Sequence, residues 1–404
     1  MKFLFVHQNF PGQFVHLIRD LARTNKHEII CITNANDNRI TGVRKLVYPK
    51  PSPDLTQTHP HARDLDLASR HAEAVATLAR NLRGLGFVPD LIIGHPGWGE
   101  MLHLSDVFPN TPQLAYFEFF YRIIGADVGF DPEFPTAETD LAGVRNKNVV
   151  NLLTLNNGVT GQTPTKWQRS TYPDWAQKQI TLLPEGVNLE TCKPDAKIRK
   201  GPITVGDITV APHEKLLTYV ARNIEPYRGC HIFIRALPAL LRARPDLRVI
   251  MVGGHEQSYG PTAPPGGWAE KYLAEIPRID RHRLHMPGKI DYADYMRILQ
   301  RSDAHVYLTF PFVASWSLRE ALACGARVIG SDTAPVSEFI THGKNGLLTP
   351  FHDQAALAKS VLDLLESPRK AQALSRGARE YAEQNLDLAD HITAYHKMIR
   401  KLTH

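Results

Sequence analysis

Residues 219–229 read Tyr-Val-Ala-Arg-Asn-Ile-Glu-Pro-Tyr-Arg-Gly, and the organisation of the chain follows from them. An apolar strand ends, two arginines stand six residues apart, and a glycine opens a helical pattern. Arg222 and Arg228 are placed to converge on one anion across a tight loop. A helix N-terminus just beyond adds its own positive end, and guanidinium forks suit phosphate oxygens. The plain alternative is two solvated arginines in a surface turn.

The pattern around this stretch is strand, loop, helix, repeated. Strands are expected at 216–221, 247–252, 304–308 and 327–330, with helices at 230–244, 292–302, 317–324, 353–366 and 369–384. The N-terminal half behaves the same way. Strands are expected at 2–6, 28–33, 90–93, 113–117, 158–163 and 179–183, and helices at 13–24 and 63–84. Residues 50–62 read as a loop and 125–145 as a surface loop or lid. Short apolar runs alternating with amphipathic stretches indicate βα units and parallel sheets. The polar stretch at 190–212 reads as a boundary. The expected division is 1–190, 191–386 and a final helix, 387–404, returning to the N-terminal domain. Two α/β halves with a cleft between them suit a nucleotide-linked substrate.

Composition narrows the class. The 404 residues are 43% hydrophobic and 22% charged, which is ordinary for a globular enzyme and excludes a disordered or coiled-coil chain. The formal charge of +6 is diffuse and suits anionic nucleotide phosphates or loose contact with an acidic membrane surface. No basic stripe interleaved with aromatics appears, so a nucleic-acid partner is not expected. The four cysteines, Cys31, Cys192, Cys230 and Cys324, form no CxxC, so neither a zinc site nor a disulfide framework is expected. The N-terminal apolar run is too short for a signal peptide, and a cytoplasmic place is expected.

A second chemical stretch is Phe310-Pro-Phe-Val-Ala-Ser-Trp-Ser-Leu-Arg-Glu-Ala-Leu-Ala-Cys-Gly325. It leads from a strand into a helix with a glycine at its end. Ser315 and Ser317 are candidate N-caps, and Glu320 is placed to accept hydrogen bonds from a diol. A third stretch runs through Ser337-Glu338 to Gly343-Lys-Asn-Gly-Leu-Leu348. No G-x-G-x-x-G follows a strand, which argues against a dehydrogenase.

These stretches, in this order and spacing, resemble the retaining glycosyltransferases of family 4, which have the GT-B fold of two Rossmann-like domains. The matching residues are Ala221-Arg222, Arg228-Gly229, Glu320 to Gly325, Ser337-Glu338 and Gly343 to Leu348. Pro11-Gly12 and Pro184-Glu-Gly-Val-Asn188 match more loosely in the N-terminal half. The resemblance implies sugar transfer from a nucleotide diphosphate donor, UDP-linked in preference to GDP-linked, without an essential metal or other cofactor. It implies that Arg222 and Arg228 bind the diphosphate and that Glu320 holds the ribose. It places Ser315, Trp316, Ser317 and Glu338 at the donor and gives Gly12 the loop that approaches phosphate.

Two departures stand out. Phe312 occupies the position of the family's first motif glutamate, beside the transferred sugar. Glu118 stands where a histidine is usual, between aromatic rings where a raised pKa would suit proton transfer. A strand-end pairing with Arg122 or another cation is its ordinary alternative. His95 and Trp98, in Gly94-His-Pro-Gly-Trp-Gly99, are candidates for acceptor contact together with Glu118. The acceptor class stays open: carbohydrate, lipid-linked, protein or small molecule, with peripheral membrane contact allowed. Asp64-Leu65-Asp66 imitates a metal-binding DxD but lies in a helical pattern and reads as a solvated face. The loss at 312 also leaves room for a sugar-nucleotide-binding subunit, or an epimerase of the same fold.

Overall fold

The computed structural model describes residues 1–404. Its strands are short, and the central ones are mostly apolar because helices cover both faces of each sheet. In the first sheet they are β1 Lys2–Val6, β2 Glu28–Thr33, β3 Val43–Val47, β4 Leu91–Gly94, β5 Gln113–Tyr116, β6 Thr160–Thr163 and β7 Ile180–Leu182. The sheet order is β3-β2-β1-β4-β5-β6-β7, and every pair is parallel. The order reverses between β1 and β4, so ligands are expected at the carboxyl ends of those two strands.

The second half holds a hairpin, β8 Ile203–Val205 and β9 Ile208–Val210, followed by β10 Lys215–Asn223, β11 Leu247–Gly254, β12 Leu284–Gly288, β13 Ala304–Tyr307, β14 Val328–Ser331 and β15 Leu347–Thr349. The six-stranded sheet runs β12-β11-β10-β13-β14-β15, again parallel, with its switch point between β10 and β13. Its two central strands end at the stretches that carry Arg222 and Phe310.

Contacts divide the chain into two units. One comprises Met1–Gly129, Pro135–Glu185 and Ala389–His404. The other comprises Phe130–Phe134 and Gly186–Leu388. The stretch at 125–145 is therefore not a plain surface loop. Leu141–Asn146 is helical, and Phe130–Phe134 packs with the second unit. There Asp131 is buried and its Oδ2 lies 2.8 Å from His231 Nε2. Within the polar boundary stretch, β8 and β9 pair antiparallel across Gly206-Asp207. Gly206 has φ +55°, as such a two-residue turn requires.

The final helix, Leu388–Thr403, lies in the first unit. Tyr395, Met398 and Ile399 are buried in one cluster with Phe3, Phe5, Phe14 and Leu17. The Tyr395 hydroxyl accepts from Gln162 Nε2 at 3.0 Å, and His396 Nε2 meets Asp20 Oδ2 at 2.7 Å. Asp64 and Asp66 fall in the first turn of helix Arg63–Gly84, and Asp66 pairs with Arg70 one turn on, at 2.8 Å. All four cysteines are buried free thiols. No helix is long and apolar enough to cross a membrane.

Tyr395→Phe removes the only hydroxyl on that helix facing Gln162 and strands a buried amide. It should cost about 1–3 kcal/mol, read as a lower urea midpoint for the transition that unfolds the first unit. An unchanged midpoint would show that the helix adds packing alone.

Candidate functional site

In the second unit the site grows from the end of β10. Arg222 is exposed, near the strand's carboxyl end. The chain then turns through Glu225, whose buried Oε2 accepts the backbone N–H of Ser258 at 3.1 Å and of Tyr259 at 2.9 Å. Burial raises the Glu225 carboxyl, against these two bonds and the nearby Arg228 and Arg222 charges. Gly229 takes φ +67°, and a Cβ there would lie 2.5 Å from the Leu308 Cβ. Only glycine lets the loop press against the end of β13 before helix Cys230–Ala243 begins.

Arg228 differs from expectation. It does not share an open surface with Arg222 but is 7% exposed. Its Nη1 donates to Thr309 Oγ1 and to the Val313 carbonyl, both at 2.8 Å. Its guanidinium lies 5.3 Å over the Tyr259 ring. No carboxylate pairs with it, so Nε and Nη2 keep their donors for an anion. Glu225 is a carboxylate whose charge acts on it without forming an ion pair.

The stretch after β13 is aromatic. Phe312 is buried and meets Tyr259 at 5.0 Å and Tyr227 at 5.8 Å, both edge-on. Tyr227 in turn stacks on Phe310 at 4.5 Å. Phe312 thus fills the aromatic packing of its own unit. Ser315 stands at the N-cap of helix Trp316–Ala323 but makes no side-chain cap. Its N–H donates to the Tyr307 hydroxyl at 2.7 Å, and its Oγ bonds Ser317 Oγ at 2.6 Å. Ser317 is the helix's second residue, not its cap. Trp316 opens the helix, half-buried. Glu320, one turn on, accepts from the Tyr292 and Tyr295 hydroxyls, both at 2.8 Å, one on each oxygen. Burial raises its carboxyl, and the two tyrosines and Arg319 oppose the rise. A diol reaching Glu320 finds the second lone pair of each oxygen. Glu338 is half-buried just after the short helix Ala334–Ser337, and its carbonyl accepts from the Tyr381 hydroxyl at 3.4 Å.

In the first unit the structure brings together residues from three strand ends. His7 follows β1, His95 follows β4, and Glu118 lies two residues past β5. His95 is buried and stacked on half-exposed Trp98 with ring centroids 4.2 Å apart. Its Nδ1 accepts from the Gly97 N–H at 3.1 Å, so the ring proton is on Nε2, 3.4 Å from Glu118 Oε2. His7 repeats the arrangement. Its Nδ1 accepts from the Asn9 N–H at 2.9 Å, and its Nε2 reaches Gln13 Oε1 at 2.6 Å. The Gln13 amide then donates to Glu118 Oε1 at 3.3 Å. Gly12, with φ +55°, is explained by the same cluster, because a Cβ would lie 2.4 Å from the His7 ring. Its open side belongs to His7 here.

Two expectations for Glu118 change. Its partners are His95 and Gln13, not Arg122. Its carboxyl is lowered, not raised: burial pushes it up, but His95, the His7 ring and Gln13 outweigh that. It is a standing carboxylate rather than a stored proton. His7, Gln13, Tyr292, Tyr295, Tyr307 and Thr309 were missed from sequence, since nothing in their spacing marks them. Carbon-13 NMR of the Glu118 carboxyl should show titration below the ordinary glutamate value of about 4.3. His95→Ala should move it upward, and an unmoved titration would deny the His95 contact.

Comparison with known proteins agrees with this geometry. The model "Glycosyl transferase family 4 group" matches residues 25–192, and "Glycosyl transferases group 1" matches residues 207–381. Together they take in well over half of the chain. The D-inositol 3-phosphate glycosyltransferase of Streptomyces avermitilis is 27% identical over 211 residues, which is 51% of this chain and 43% of that protein. The glycogen synthase of Mycobacterium tuberculosis is 29% identical over 42% of this chain and 39% of its own length. The matches thus span less than half the length of these relatives. Among solved structures, sucrose-phosphate synthase from Thermosynechococcus elongatus superposes with a TM-score of 0.76 at 18% identity, over 100% of this chain and 99% of that one. Anabaena HepE in complex with UDP-glucose gives 0.70 at 17% identity, over 99% and 100%. The two parallel α/β domains are those of the GT-B fold, and the chain belongs to the family-4-like glycosyltransferases.

Proposed function

We propose that this protein moves a sugar from a nucleotide diphosphate donor, a UDP-sugar in preference to a GDP-sugar, to an acceptor hydroxyl, with retention at the anomeric carbon and no essential metal. The observation that carries the reading is Arg228, a buried guanidinium without a carboxylate partner and with donors to spare. A diphosphate completes its hydrogen bonds and its charge together. The titles of the HepE complexes, with UDP and with UDP-glucose, support the choice of donor class. Four buried free thiols support work in the reducing cytoplasm.

In this reading the bond from the anomeric carbon to the diphosphate oxygen breaks as the acceptor oxygen bonds to that carbon on the face the diphosphate leaves, and the proton of the acceptor hydroxyl passes to a departing diphosphate oxygen. The departing diphosphate takes the electron pair. Preorganised donors stabilise that charge without reorganising. Arg228, exposed Arg222 and the uncapped amides at the start of helix Trp316–Ala323 supply them. Glu320 holds the ribose diol. Glu118, kept ionised, orients the acceptor hydroxyl as a hydrogen-bond acceptor, with His95 and Trp98 beside it. Phe312, sealed among aromatics, favours one second reading, a nucleotide-sugar-binding subunit without transfer.

Arg222→Ala touches an exposed side chain and should fold. It should lower turnover by at least about 10²-fold, as for loss of a transition-state charge contact. Arg228→Met should do the same where the protein still folds. Full activity in Arg222→Ala would refute the diphosphate assignment. Proton NMR of the product should show the donor's anomeric configuration, and inversion would refute that part of the reading. Donor binding with neither transfer nor hydrolysis would select the subunit.

A further inference from the structure

The acceptor half carries information about its ligand that the family resemblance does not. The end of the first sheet at its switch point presents one carboxylate, two imidazoles, one amide and one indole. Glu118 keeps 27% of its side chain exposed, enough for a ligand to reach it. Each histidine there accepts a backbone N–H at Nδ1, which leaves Nε2 to carry the ring proton. No lysine or arginine bonds to Glu118 or His95. Glu118 is the one carboxylate of the constellation, and no ammonium or guanidinium pairs with it.

From this we infer that the acceptor is a neutral sugar or polyol, unphosphorylated near the hydroxyl that is attacked. The inference rests on the proposed placement of the acceptor at Glu118. The chemistry of each group fits. Carboxylate oxygens accept from one or two hydroxyls in short, strong bonds. The half-exposed Trp98 face, held flat by its stack on His95, offers an apolar platform for the C–H face of a ring. Gln13 spends its amide on Glu118 and its carbonyl oxygen on His7, which fixes the carboxylate where a hydroxyl would meet it. A phosphate or carboxylate on the same ring would add a second anion beside Glu118, where no lysine or arginine is bonded to offset the repulsion.

The test is a paired acceptor panel with the full-length protein and the nucleotide-sugar it binds best. Neutral hexoses, pentoses and cyclitols are each set against their own monophosphates. Product is read by mass spectrometry and binding by saturation-transfer NMR. Neutral members should be bound and glycosylated, with the matching phosphates at least about 10-fold poorer. Glu118→Gln, which keeps the shape and removes the charge, should lower transfer to neutral acceptors and narrow that ratio. A phosphate used as well as its neutral parent, or better, overturns the inference. So does failure of every neutral member to bind or react. If Glu118→Gln leaves both rates and their ratio unchanged, the acceptor does not sit at Glu118, and both readings fall. If it lowers both rates while the wild type prefers phosphates, the placement stands and only the inference fails.

Discussion

Arg228 holds together the part of the second unit on which everything else depends. It comes from the loop after β10, and it bonds Thr309 and Val313 in the stretch after β13. These are the two strands between which the sheet order reverses. One guanidinium therefore ties the two edges of the switch point, with Nε and Nη2 left outside those bonds. Gly229 makes the tie sterically possible, because any side chain would strike Leu308.

The first unit uses the opposite electrostatics. There a carboxylate is kept ionised by His95, His7 and Gln13, with hydrogen bonds running from Asn9 through His7 and Gln13 to Glu118 and with His95 Nε2 3.4 Å away, its Nδ1 held by Gly97. Each member is fixed by the next, so the cluster is preorganised. A group held this way below its ordinary value stays charged throughout the neutral range. The same linkage gives stability above the carboxyl's unfolded pKa that is lost as pH falls through its lowered folded value. The two units thus differ in kind, with a buried arginine in a strand-end loop of one and an ionised carboxylate at a strand end of the other.

Much of the fold was legible because buried parallel strands are unbroken apolar runs, as in KFLFV and EIICIT. The strands that escaped notice lack that signature. β3 is an edge strand carrying Arg44 and Lys45, β8 and β9 are three residues each inside a polar stretch, and β12, Leu-His-Met-Pro-Gly, and β15, only three residues long, are the two edge strands of the second sheet. Arg222, Arg228 and Glu320 stood out because charge beside a helix start is visible in one dimension. The direction of the Glu118 shift was not, because it is set by His7, Gln13 and His95, which come from two other strand ends. Phe130–Phe134 misled for the same reason, since a short polar-flanked segment shows nothing of the partners that bury Asp131.

The account stands on the claim that the Arg222–Arg228 loop receives a diphosphate. Thermal unfolding of the intact protein with UDP, GDP and ADP, each compared with its nucleoside and each with and without EDTA, tests it most directly. One nucleoside diphosphate at about 100 times its dissociation constant should stabilise by about 2.7 kcal/mol, the nucleoside alone far less, and EDTA should change neither. No stabilisation by any diphosphate, or stabilisation that EDTA abolishes, would contradict it.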